Sequence, residues 1–96
     1  MNAFIIFDVS RKNADVKASL KLMGYHAAWL SNGHTYYLPH NSMWKPNCEL
    51  AQANNDLIDS ISKINNRTEN IGNPITIDRC IVLSVNPWHG LQGKPS

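Results

Sequence analysis

The chain has 96 residues, 43% of them hydrophobic and 17% charged, with a formal net charge of +2. That balance excludes a disordered chain and leaves one domain with a single core, spanning residues 1–96. A charge this small does not by itself announce a nucleic-acid binder. No apolar run approaches the ~20 residues that a membrane-spanning helix needs. Asp8 interrupts the first apolar run, which also lacks a basic flank, so a secretory leader is not expected and a cytoplasmic location is. The two cysteines, Cys48 and Cys80, read as small buried thiols in a reduced protein.

The first element is a strand over Ala3–Val9. Five of its seven residues are β-branched or aromatic, the types that suit a pleated, packed surface. Ala3, Ile5, Phe7 and Val9 form one face, and Phe4 and Ile6 the other, so both faces are apolar and the strand belongs in mid-sheet. Asp8 follows on the second face, near the strand's end.

Residues 10–13 are a polar connector in which Ser10 or Asn13 is the candidate N-cap. Val16, Leu20 and Met23 recur at helical spacing, and Gly24 supplies a left-handed stop, so a short amphipathic helix is expected over residues 14–23. Two strand-like runs follow, 25–31 and 34–39, joined at Asn32-Gly33, the strongest short hairpin signal because both residues accept positive φ. Trp29, Tyr36 and Tyr37 give that hairpin packing area. Residues 40–46 read as a loop ending at Pro46. A longer amphipathic helix then covers 47–64, with Leu50, Leu57, Ile58, Ile61 and Ile64 in its apolar stripe.

Asn65, Asn66, Thr68, Asn70, Gly72, Asn73 and Pro74 make 65–76 a loop, expected to be the most mobile internal segment. Residues 75–85 return to strand character, and the remainder is a Pro- and Gly-punctuated tail whose Trp88 and Leu91 are available for docking, with 90–96 expected to be flexible. Strand, helix, strand, strand, helix, strand is the ferredoxin-like βαββαβ order: an α+β fold with a four-stranded antiparallel sheet and two helices on one face. The other sheet face is left bare although it is apolar, so a second subunit is expected to cover it in a homodimer, with Trp29, Tyr37 and Trp88 as interface residues; the competing explanation is a monomer whose tail, with Trp88 and Leu91, folds across the sheet.

Asp8 is the candidate catalytic residue. A carboxylate at the end of a central strand can hold Mg²⁺ with waters, and two copies across a two-fold axis can share one ion that activates water. The plainer alternative is a carboxylate that ends the strand and caps the next loop. Residues 1–45 carry five Lys or Arg against two Asp, whereas the remainder carries four against five acids. Arg11, Lys12 and Lys17 are therefore the candidate contacts to RNA or DNA phosphates, unless they form a solvated helix face. The four histidines match no metal-ligand spacing.

The opening Phe-Ile-Ile-Phe-Asp-Val-Ser, followed by a basic-flanked helix ending Leu-Met-Gly-Tyr, resembles the small CRISPR-associated endonuclease of spacer adaptation and its relatives. Those relatives include SinR-like proteins and the endoribonuclease antitoxins of toxin–antitoxin systems. The resemblance implies a ferredoxin-like homodimer and maps Asp8 onto the family's metal-site aspartate. The family's paired arginines stand here as Arg11-Lys12, and its Ser-Val-Phe-Glu segment is absent. Two functions are accordingly expected as alternatives. One is a nucleic-acid-binding protein, as a metal-dependent endoribonuclease or endonuclease. The other is a non-catalytic interaction or regulatory module that uses the apolar sheet face.

Overall fold

The computed structural model describes residues 1–85 and Gly93. Trp88 and the rest of the tail, including the expected flexible segment 90–96, lie outside the described residues. The elements are β1 (Ala3–Val9), α1 (Asn13–Leu22), β2 (Ala28–Ser31), β3 (His34–Tyr37), β4 (Ser42–Lys45), α2 (Leu50–Asn65) and β5 (Ile77–Ser84). The chain is a mixed α+β domain with two helices and antiparallel sheets.

β1 runs down the middle of a three-stranded sheet of order β4-β1-β5, antiparallel to both neighbours. Its inner face, Ala3, Ile5 and Phe7, is wholly buried. These side chains join Val16 and Leu20 of α1 and Ala53, Leu57, Ile61 and Ile64 of α2 in one core. The outer face carries Phe4, between Trp44 and Leu83, then Ile6 beside Ile81, then Asp8 beside Arg79. Ile6, Ile81 and Leu83 remain 40%, 59% and 47% exposed, so among the described residues no element covers that face as the helices cover the inner one.

The expected four-stranded sheet is instead a three-stranded and a two-stranded one. The hairpin forms at Asn32-Gly33, where φ is 51° and 78°, and pairs β2 with β3. Its second arm then breaks at Pro39, whose carbonyl accepts bonds from the Ser42 amide (3.0 Å) and hydroxyl (2.7 Å). Proline cannot donate to a ladder, so the pairing cannot run on through it. The chain resumes as β4, which takes the place beside β1. One bridge between His26 and Trp44 joins the two sheets, and Trp29 packs on Trp44 with ring centroids 3.9 Å apart.

Other boundaries shift for local reasons. Helix α1 begins at Asn13, not 14, and neither expected N-cap serves it: Lys12 holds the cap position in the left-handed region at φ 57° with no side-chain bond. Gly24 does close it, at φ 97°. The Gly24 amide reaches the Lys21 carbonyl and the Tyr25 amide reaches that of Leu20, the paired bonds of a Schellman end. Helix α2 starts at Leu50 instead of residue 47 because Asn47 turns left-handed at φ 50°. Ile58 is 54% exposed, outside the stripe expected for it, while Leu57 and Ile61 face the core.

Residues 65–76 are pinned rather than loose. The Asn65 side chain donates to the Ile75 carbonyl (3.0 Å) and accepts from its amide (2.7 Å). Buried Asn70, on a single 3-10 turn over Thr68–Asn70, donates to the Ile64 carbonyl at 2.9 Å. Asparagines suit this work because one side chain carries both a donor and an acceptor.

Candidate functional site

β1 delivers Asp8 to the outer face at the strand's end, as its alternation requires. Its Oδ1 accepts from Asn41 Nδ2 at 2.7 Å and its Oδ2 from Arg79 Nε at 2.8 Å. Asn41 is itself fixed, since its carbonyl accepts the Phe7 amide at 2.9 Å. The Arg79 side chain is 81% exposed, and an ion pair this open contributes about 0–1 kcal/mol. Within one chain both oxygens of Asp8 therefore meet donors, and a guanidinium stands where a cation would. Among the described residues no three His, Cys, Asp or Glu side chains gather as metal ligands. A cation at Asp8 would have to displace Arg79 and draw its remaining oxygen ligands from water or from a second copy.

The basic candidates separate into two groups. Arg11 turns away from Asp8 into the 65–76 segment, where its Nη2 donates to Asn70 Oδ1 at 3.0 Å and to the Asn73 carbonyl. Lys12 lies within 4.0 Å of Asp15 and 3.8 Å of Glu69. Both side chains thus serve internal contacts. Lys17 goes the other way and donates to the His40 carbonyl at 2.9 Å. His40 Nε2 also lies 3.1 Å from Asn13 Nδ2. Asp8 and Lys17 are therefore linked through the adjacent residues Asn41 and His40, a link that sequence spacing did not reveal. Burial, and then the neighbouring charge of Lys21, lower the Lys17 pKa from its ordinary value.

Of the expected interface residues, Trp29 is committed to Trp44 of its own chain, whose Nε1 donates to the Ala28 carbonyl at 2.7 Å. Tyr37 stays exposed on β3.

A second polar cluster, unforeseen from the sequence, is buried. The Tyr25 hydroxyl donates to Asp56 Oδ2 at 2.7 Å and lies 3.7 Å from Cys48 Sγ, and Gln52 Nε2 donates to Asp56 Oδ1 at 2.7 Å. Burial, followed by the hydrogen bonds to Asp56 and Cys48, raises the phenol pKa far above its ordinary value. Asp56 and Gln52 share a helix face at a spacing of four residues, the one sign of the cluster that periodicity carries. The group locks α2 to the segment leaving α1. Cys48 sits before α2 rather than within it, and both cysteines are free.

No helix of the described residues is long and apolar enough to cross a membrane. No family model matches the chain, and neither a curated protein nor a solved structure does.

Proposed function

We propose that this chain is a non-catalytic interaction module that works as a symmetric homodimer, with the bare sheet face as the contact between two copies. The observation that supports this most is the outer-face row of Ile6, Ile81 and Leu83, apolar side chains that stand together on one sheet face uncovered by any described element. Charge complementarity favours a second copy as the occupant. Asp8 and Arg79 stand side by side at the edge of that row, so each copy presents one acid and one base, and a two-fold axis can set Arg79 of one protomer against the Asp8 of its partner. On this proposal the architecture is a ferredoxin-like plan in which β4 is the strand beside β1 and the hairpin has peeled away at Pro39.

The test is the mass in solution of wild type and of Ile81→Lys, a substitution at an exposed position outside the core. The wild type should run as a dimer and the variant as a monomer with an unchanged circular dichroism spectrum. A wild type that stays monomeric at high micromolar concentration removes the proposal.

A second function rests on Asp8, whose side chain is only partly covered at the end of a central strand. Metal-dependent cleavage of RNA or DNA there requires Arg79 to swing aside and a further carboxylate to arrive from a second copy. Mg²⁺-dependent cleavage by wild type that disappears in Asp8→Ala is the expected result. Pure wild type without activity, or cleavage that survives the substitution, eliminates it.

A further inference from the structure

Among the described residues, the cations of this chain are not equally committed. Lys12, Arg67 and Arg79 each face a carboxylate, and Arg11 is inserted among Asn70 and Asn73. Lys17, Lys21, Lys45 and Lys63 have no carboxylate within ion-pair distance among the described residues, and of these Lys17 and Lys21 share one helix. They stand four residues apart on α1, with Asn13 four residues before Lys17, so the three form one stripe along the helix. At 1.5 Å per residue their Cα atoms repeat about every 6 Å along the axis.

We infer that this stripe, Asn13, Lys17 and Lys21 with His40 beside it, is a binding site for the phosphate backbone of single-stranded nucleic acid. Four observations bear on the ligand's class. The three residues follow one another along the helix face, which suits an extended chain of anions better than one isolated anion. Lys17 is held in place, its Nζ bonded to the His40 carbonyl at 2.9 Å, so one ammonium is already positioned before a ligand arrives. The His40 ring, 3.1 Å from the Asn13 amide, adds a polar group at the stripe's first step. The adjoining stripe begins with two exposed alanines, Ala14 and Ala18, small enough for a sugar–phosphate chain to lie close to the helix.

The acid on this helix does not oppose such a ligand. Asp15 is two residues from Lys17, on a different side of α1, and it is engaged by Lys12 and Arg67. Burial first, and then the like charge of Lys21, lower the Lys17 pKa, and a phosphate between the two ammonium groups relieves their mutual repulsion. The site lies on the helical side of the domain, away from the bare sheet face, so it stands whether or not two copies pair.

The experiment is fluorescence anisotropy with labelled single-stranded RNA and DNA oligonucleotides at several salt concentrations, using the full chain. Wild type should bind, and the logarithm of its affinity should fall with the logarithm of salt at a slope near −1.4, that of about two phosphates neutralised on a single strand. Lys21→Glu, at an exposed position of α1, and Lys17→Glu with Lys21→Glu should each weaken binding about tenfold or more at low salt with an unchanged circular dichroism spectrum. Lys63→Glu, an equal charge change on α2, should leave it nearly unaltered. Wild type that does not bind either oligonucleotide at low salt overturns the inference. So does a Lys21→Glu variant that binds like Lys63→Glu, or a wild type that binds vesicles of anionic lipid but no oligonucleotide.

Discussion

Replacing Phe7 with alanine should cost about 3–5 kcal/mol of folding stability, the largest loss expected from any single truncation in this chain. Phe7 is 1% exposed at the centre of the inner face, opposite Cys80 and within the core that includes both helices. Removing the ring takes away its transfer free energy and also leaves a cavity, because β1 is hydrogen-bonded on both sides and cannot move in to fill it. A domain of this size is stable by about 5–15 kcal/mol, so the loss is a large part of the total. Urea unfolding of the variant gives the measurement. Ile58→Ala is the control: it removes an exposed side chain of α2 and should change stability by no more than about 0.5 kcal/mol. Equal losses in the two variants would show that the inner face of β1 is not the core.

Tyr25→Phe should destabilise the fold by about 1–3 kcal/mol at neutral pH, although it removes only one oxygen. The substitution takes a donor from Asp56, a 7% exposed carboxylate that then keeps only Gln52 of its two side-chain donors. The same cluster sets an alkaline limit. Its folded-state pKa is raised, so the native chain holds the Tyr25 proton more tightly than the unfolded chain does. That contribution is fully present below the ordinary tyrosine pKa of about 10 and is lost progressively as pH rises above it. Stability measured from pH 8 to 11 should therefore fall more steeply for wild type than for Tyr25→Phe. Parallel curves would show that the phenol proton is not held by the fold.

Part of this structure was legible in the residues, and the division has a physical cause. β1 could be read because its pattern is local: two apolar faces in seven residues leave no place for it but the middle of a sheet. Gly24 and Asn32-Gly33 could be read because a left-handed residue has few uses. β4 could not, since it is four residues long between Pro39 and Pro46 and its apolar content is Met43 and Trp44. It is a strand because both edges of β1 need pairing, which is a tertiary demand. Likewise Asp8 was visible as a candidate, but its partner Arg79 lies 71 residues away, and Arg11 meets Asn70 across 59. The basic residues next to Asp8 in sequence turned elsewhere, whereas Lys17 came closer through His40 and Asn41. Ile58 was misassigned because it is one position from Leu57, a step of about 100° around a helix.

The central position of β1 has a consequence for the order of events during synthesis. Both of its neighbours come from later in the chain, β4 some forty residues on and β5 beyond α2. As the polypeptide leaves the ribosome, this apolar ribbon emerges before either neighbour, and one of its edges waits unpaired until β5 has been made. During that interval α1 and the Asn32-Gly33 hairpin can form from local contacts, while Ala3–Val9 stays exposed to stray pairing with other nascent chains. Asp8, one charge near the end of that ribbon, then acts as a gatekeeper against aggregation before it ever meets Arg79.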